Sequence, residues 1–218
     1  MASSTASAPV SRSSFRAKHA LFVVLGLMTL FVLYHNERFI IDHRLDDWKY
    51  YFPVRWWLLP HGLAGALALF FGPLQFSTRL RQRHVRVHRL MGKFYLAGVA
   101  IAGPMAVYLS MIHNPPQLRI LSVVQASSWW LTTGLAFYCI RHGNVQQHRQ
   151  WMTRSYSVTM IFVMARVLYA IPALNRRGLD ALVPIIWFCN LLAWIVPDLI
   201  LQWNAVFGQK AALQRNAG

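Results

Sequence analysis

Six long apolar segments separated by short polar connections constrain the fold of this 218-residue chain more than any other feature. A helix needs about 20 mostly apolar residues to cross the hydrocarbon core of a bilayer. The segments that meet or approach this length lie near residues 20–34, 56–76, 90–112, 118–140, 155–174 and 181–203. The pattern predicts an all-α integral membrane helix bundle of about six transmembrane helices.

The two ends of the chain lack the apolar character of the spans. Residues 1–18 are rich in Ser and Ala and include Arg12, Arg16 and Lys18, which predicts a disordered basic tail. Residues 19–204 are expected to form the six-helix membrane domain, followed by a short tail at residues 205–218. The basic residues before the first span resemble the n-region of a signal peptide. No small-residue cleavage site follows Tyr34, which favours an uncleaved anchor.

The composition excludes several classes of protein. Only 13% of the residues are charged, about half the usual share of a soluble domain. Two cysteines exclude a disulfide scaffold and a Cys-rich zinc module. Lys and Arg outnumber Asp and Glu by 22 to 6, but the basic residues form short clusters between apolar segments and no nucleic-acid-reading motif accompanies them. The chain is therefore not expected to bind nucleic acid.

The distribution of charge predicts the orientation of the spans. When the connections are assigned alternately to the two sides, one side carries about twice as many Lys and Arg residues as the other. Five of the six acidic residues lie on the poorer side: Glu37, Asp42, Asp46, Asp47 and Asp180. The positive-inside rule then places both termini in the cytoplasm. The stretch Arg79–Arg89 is the main determinant of this orientation. It is also expected to attract anionic lipid headgroups.

Several ionisable residues lie within or beside the predicted spans, where such residues are costly and mark functional sites by default. Sorted by depth, they form an outer group, which His113 could join, and an inner group. The outer group is His61 and Arg166, and the inner group is His88, His148 and Asp198.

Arg166 and Asp198 each require a partner. Arg166 cannot lose its proton, so its charge needs Asp180, a long outer loop that folds back, or an anionic ligand such as a haem propionate. For Asp198, the nearest groups by depth are His88, His148, Arg89 and Arg154. Either a structural ion pair or a role in a site would explain this carboxylate.

Two histidines share a local pattern with glycine. Gly65 follows His61, and Gly92 follows His88, in each case four positions later on the same helix face. The missing side chain leaves room for a flat macrocycle, although small residues also mediate ordinary helix packing in membranes. His84 and His88 have a metal-binding spacing, but the surrounding arginines oppose a cation. His84 and His142 are therefore expected to be solvated.

Three sequence blocks resemble a family of predicted bacterial membrane proteins that is catalogued as a domain of unknown function. The blocks are His61…Gly72-Pro73-Leu74-Gln75-Phe76, His88-Arg89-Leu90-Met91-Gly92-Lys93-Phe94-Tyr95 and His148-Arg149-Gln150-Trp151-Met152-Thr153-Arg154-Ser155-Tyr156. The resemblance extends from about Leu58 to about Trp203, with Arg166 at the place of a family arginine. Asp198 stands where the family often has Glu. The resemblance implies a multi-pass protein of the bacterial inner membrane, without an established activity.

The leading functional hypothesis is a b-type haem protein that transfers electrons across the membrane. His88 and His148, at matched depth on two spans, would bind haem b axially. His61 would serve an outer haem, with His113 or another ligand, and Arg166 would hold a propionate. Span four contains no interior histidine, so a second bis-histidine haem has little support.

Two alternatives remain open at this stage. A membrane-embedded metal enzyme would use His88, His148 and Asp198 as a two-histidine, one-carboxylate set. A non-catalytic transporter, assembly factor or lipid-binding protein would use His61, Arg166 and Asp198 as relay groups. The sequence names no protein partner and assigns no catalytic residue.

Overall fold

The computed structural model describes the backbone of residues 12–207 and the side chains of residues 19–203. This part of the chain is helical and contains no β-strand, which confirms the predicted all-α fold. Most of the predicted tails, residues 1–11 and 208–218, lie outside the described residues. The helices are α1 (Arg12–His35), α2 (Asp46–Tyr51), α3 (Arg55–Gln75), α4 (Thr78–Arg83), α5 (Val85–His113), α6 (Pro116–Arg141), α7 (Val145–Tyr169), α8 (Pro172–Asn175) and α9 (Leu179–Phe207).

Six of the described helices correspond to the six predicted spans. At a rise of 1.5 Å per residue, even the 21-residue α3 is about 32 Å long, enough to cross the hydrocarbon core. By length and composition, three described stretches are apolar enough to cross a membrane: Asp46–Gln75, Val85–His113 and Leu179–Trp203. The α6 and α7 helices are similarly long but more polar, and several of their hydroxyl side chains are buried inside the bundle.

Some helix ends differ from the predicted boundaries. The α1 helix begins at Arg12, so the last residues of the predicted N-terminal tail are helical. The α7 helix begins at Val145 because the Asn144 side chain caps it, accepting a hydrogen bond from the Gln147 backbone N–H at 3.1 Å. Hydropathy alone could not reveal this polar first part of α7. At the other end, α9 extends to Phe207, into the predicted C-terminal tail.

Four helices form a closed ring. The α3 helix contacts α5, α5 contacts α6, α6 contacts α7, and α7 contacts α3. The α5 and α7 helices are therefore diagonally opposite. The α1 and α9 helices pack against α7 from outside the ring, and α9 also touches α6. As a result, α7 is the most enclosed of these helices, and it contributes residues to both described core clusters.

The ring has two chemically different ends. The basic end contains Arg79–Arg89, with the first turns of α5 and α7 and the last turns of α3 and α6. The loop end contains residues 36–54, which fold into α2 and two short 3₁₀ turns at Arg38–Ile40 and Phe52–Val54. These two ends correspond to the inner and outer sides of the sequence-based topology.

Candidate functional site

A cleft of about 810 Å³ opens at the basic end and is lined by residues of α3 to α7 and α9. Its walls include His88 from α5 and His148 from α7. The charged residues that line it are all basic: Arg81, Arg89, Lys93, Arg141 and Arg149. The structure therefore brings together, in positively charged surroundings, the two histidines that the sequence predicts as a pair.

His148 is held in a defined orientation. Its Nδ1 donates a hydrogen bond to the Ala136 carbonyl oxygen of α6, at 2.8 Å. This bond places the proton on Nδ1 and leaves Nε2 as the free ring nitrogen. Histidines that bind metals in proteins are commonly oriented in this way by a backbone carbonyl. The imidazole of His148 is therefore prepared to act as a ligand.

His88 has an unsatisfied ring nitrogen. Its Nδ1 is buried and has no hydrogen-bond partner among the described residues. Buried polar atoms nearly always have a partner, so an orphan of this kind needs an explanation. His88 and His148 line the same cleft. Gly92, one turn after His88, lines the same cleft and places no side chain beside the imidazole.

A hydrogen bond deeper in the bundle joins the two helices that carry the histidines. The hydroxyl groups of Tyr95 on α5 and Ser155 on α7 lie 2.6 Å apart. Each residue follows its histidine by seven positions, which is two helical turns and nearly the same face. His88 and His148 therefore lie two turns nearer the basic end, on nearly the same faces of α5 and α7 as Tyr95 and Ser155.

Tyr95 belongs to a buried cluster of hydroxyl groups at this level. Its hydroxyl also lies 3.0 Å from Thr159 Oγ1, which accepts a hydrogen bond from the Trp129 indole at 2.9 Å. The hydroxyls of Thr133 and Ser155 are 2.7 Å apart. Three helices of the ring thus share one hydrogen-bonded network. The members of this cluster are common residues that become distinctive only when they meet, so the amino-acid sequence does not predict it.

The three sequence blocks pack against one another. Gly72 on α3 lies under the ring of Tyr156, where a Cβ atom would collide with the ring and lie 3.3 Å from Tyr95. The Tyr156 hydroxyl in turn donates to the Leu69 carbonyl oxygen at 3.4 Å. Nearer the basic end, the Gln75 amide donates to the His88 carbonyl oxygen at 3.4 Å. The blocks therefore form one packed unit beneath the cleft.

Asp198 is paired with an arginine. Its Oδ1 lies 2.7 Å from Nε and 2.6 Å from a terminal nitrogen of Arg154. Among the described residues, no three His, Cys, Asp or Glu side chains are grouped so that they could hold a metal ion. The structure thus forms the ion pair considered for Asp198 and does not assemble the set His88, His148 and Asp198.

The partner of Arg166 is Glu37. Arg166 Nε lies 3.1 Å from Glu37 Oε1, although the contact is not aligned as a hydrogen bond. The guanidinium also lies 3.8 Å from the centre of the Phe162 ring. Of the predicted partners, the structure therefore selects the outer loop, which folds back over the end of the ring. The depth of Arg166 predicts the loop as a partner but does not identify Glu37 within it.

The outer histidines are not arranged as a pair. His61 Nδ1 donates to the Ala102 carbonyl oxygen at 3.0 Å, and Arg166 acts on this ring electrostatically. His113 packs against the rings of Tyr50 and Tyr51, with centroid distances of 4.5 and 5.5 Å. No other group lies within 4 Å of the position that a Cβ on Gly65 would occupy. Among the described residues, the space at Gly65 is therefore open. At Gly92, a Cβ would lie 3.4 Å from Gln75 Oε1, so the Gln75 side chain partly fills the space beside His88.

Comparison with known proteins gives one match. Residues 58–205, about two thirds of the chain, match the family described as Predicted membrane protein (DUF2306). The matched range includes both histidines of the cleft and the hydroxyl cluster, whereas Glu37 lies outside it. No curated protein and no solved structure matches the chain.

Proposed function

This chain belongs to the DUF2306 family of predicted membrane proteins, and we propose that it binds one b-type haem between His88 and His148. The observation that carries the proposal is the placement of these histidines. They lie on diagonal helices, in register with the Tyr95–Ser155 hydrogen bond, and they line one cleft. In helix bundles, cofactor sites are commonly built from side chains on facing helices.

The residues present fit this group in several ways. The Ala136 carbonyl orients His148, while His88 has a buried nitrogen without a partner. Gly92 lines the cleft near His88 and presents no side chain of its own, although Gln75 Oε1 lies 3.4 Å from the position that a Cβ would occupy there. Arg89 and Lys93 line the same cleft and would balance the propionates of the haem. When bound, a haem with two histidine ligands supplies one-electron redox chemistry.

The two charged residues that the relay alternative requires, Arg166 and Asp198, have partners in the structure. Arg154 with Asp198, and Arg166 with Glu37, form ion pairs. These contacts give the charges a structural role, so a relay function is not needed to explain them. The alternative of a non-catalytic transporter therefore has less support from the geometry than haem binding has.

We place the basic end at the cytoplasmic face of a bacterial inner membrane. The excess of Lys and Arg at this end supports the assignment through the positive-inside rule. In this orientation, residues 36–54 face the outer side, and the haem site opens toward the cytoplasm. Electrons would then enter or leave the haem from the cytoplasmic side of the bilayer.

An absorption spectrum of the detergent-purified protein tests the proposal. The oxidised and dithionite-reduced forms should show a Soret band and a reduced α-band, and a pyridine haemochrome assay should identify haem b. H88A and H148A should each remove or shift these bands. The matched controls are H84A and H142A, which change exposed histidines at the same end and should leave the spectrum unchanged. A colourless protein from haem-replete cells would rule the proposal out, as would equal spectral losses in all four variants.

A further inference from the structure

Two arginines face the mouth of the cleft without any acidic partner. Arg81 lies on α4 and Arg149 lies in the first turns of α7, and both line the cleft. Neither forms an ion pair with a described residue. Both side chains line one cleft, and burial together with the positive charge of Arg149 lowers the pKa of the Arg81 guanidinium. Guanidinium groups that line one cleft and share no carboxylate repel each other, and an anion bound between them would relieve this repulsion.

The chain itself has no acidic side chain to supply this anion. Asp198 is the one acidic side chain in the described part of the basic end, and Arg154 already binds it. The other five acidic residues lie in residues 36–54 or in the first turn of α9, at the opposite end. Residues 1–11 and 208–218 contain no Asp or Glu. An anion bound at the two arginines would therefore come from another molecule.

The neighbouring surface indicates that this molecule is amphiphilic. Val85, Phe137 and Ile140 also line the cleft, and all three side chains are exposed. Arg81 and Arg149 lie just outside the predicted spans, where the headgroups of a bilayer lie. An anionic headgroup at the arginines would thus bring its hydrocarbon chain against an apolar wall. Guanidinium groups suit phosphate oxygens in particular, because they donate two parallel hydrogen bonds.

We propose that Arg81 and Arg149 together bind the phosphate group of an anionic lipid at the mouth of the cleft. This site is more specific than a general attraction of the Arg79–Arg89 stretch to the membrane surface. A diffuse attraction depends on the number of basic residues and hardly on which ones they are. A built site depends on two particular side chains. The proposal does not rest on the haem, because the arginine pair lacks a counter-charge with or without it.

Lipid binding by the purified full chain tests the site. Native mass spectrometry of the protein in neutral detergent would measure the binding of phosphatidylglycerol and, as the uncharged reference, phosphatidylcholine. R81Q/R149Q should weaken phosphatidylglycerol binding about tenfold, as expected when charge-assisted hydrogen bonds are lost. The matched control R79Q/R83Q removes the same charge from exposed positions outside the cleft and should change binding less than about twofold. R81K/R149K, which keeps the charge but not the paired donors, should give an intermediate affinity.

Further measurements distinguish a lipid phosphate from a soluble one, and they test whether the arginine pair is a built site or serves the haem. Competition by inorganic phosphate or glycerol 3-phosphate at equal concentrations would support the phosphate site but assign it to a soluble ligand. Equal losses of phosphatidylglycerol binding in R81Q/R149Q and R79Q/R83Q would overturn the proposed site in favour of diffuse surface charge. Loss of haem absorbance with unchanged lipid binding would also overturn it, because the pair would then serve the haem. If R81Q/R149Q does not fold, R149Q alone, at an exposed position, provides the same comparison.

Discussion

The hydroxyl groups of Tyr95 and Ser155 lie 2.6 Å apart and join the diagonal helices α5 and α7 across the ring. Both residues are fully buried. His88 and His148 each precede this contact by two helical turns, so the hydrogen bond joins their two helices just below the cleft at the basic end. The hydroxyl cluster is thus the structural base of the proposed haem site, although it contains no haem ligand.

Replacing Tyr95 with Phe should loosen this base. The variant removes the hydroxyl that contacts Ser155 and Thr159 and leaves buried groups partly unsatisfied. We expect a loss of about 1 kcal/mol of stability, measured by unfolding in mixed micelles. Y108F is a suitable control, because Tyr108 is an exposed tyrosine on the same helix. Equal stability of Y95F and Y108F would show that the cluster does not hold α5 and α7 together.

Removing the Asp198 charge should cost more stability than removing the charge of Arg154. The Arg154 side chain is 13% exposed and cannot become neutral, whereas the Asp198 side chain is 45% exposed. D198N therefore leaves an unpaired buried cation, with an expected loss of about 2 kcal/mol, and R154Q should lose about 1 kcal/mol. Thermal unfolding of both single variants and of the double variant measures the coupling. A larger loss in R154Q, or additive losses, would contradict the ion pair as the main role of Asp198.

Replacing Glu37 with Gln should release the outer loop from the ring. The Glu37 side chain is 18% exposed and provides the carboxylate next to Arg166. Without this charge, amide hydrogen exchange in residues 36–54 should become about tenfold faster, which corresponds to about 1.4 kcal/mol. D180N removes a carboxylate at the same end that has no ion pair in the described chain and should not change the exchange. Identical exchange in E37Q and the unmodified protein would mean that the aromatic contacts alone hold the loop.

Adding one methyl group at Gly72 should disturb the contact between the sequence blocks. A Cβ at this position would collide with the buried ring of Tyr156, which is itself packed against Phe76. G72A should therefore cost about 1–3 kcal/mol through overpacking. G134A is the matched control, because no other group lies within 4 Å of its Cβ position. That variant should be neutral or slightly stabilising, since Ala favours helix more than Gly does. Thermal unfolding of the two variants checks this difference in sign.

The sequence predicted the helical fold because the driving feature is local. Each span is a continuous apolar stretch, and its length against the bilayer thickness identifies it without any tertiary information. The prediction was weakest where a helix continues into polar sequence. Val145–Arg154 is helical because Asn144 caps it and because His148, Met152 and Ser155 face other helices. Such contacts depend on neighbours that the sequence does not place.

The pairing of His88 with His148 could be anticipated from depth alone, and the structure places both in one cleft. The partners of the charged residues were harder to predict. Depth placed Arg154 among several groups near Asp198, and only the packing of α7 against α9 selects it. The hydroxyl cluster was not foreseen, because Tyr, Ser and Thr in a span have many ordinary roles. Its significance comes from the convergence of three helices.

The contact between Glu37 and Arg166 also constrains the order in which the molecule assembles. Glu37 follows the first long helix, whereas Arg166 lies near the end of α7, so most of the chain is synthesised between them. Because chains fold from the N-terminus as they are made, the carboxylate has no partner until α7 has entered the bilayer. The aromatic contacts of the loop with His113 can form once α5 is in place, whereas the ion pair forms only when α7 completes the helix ring.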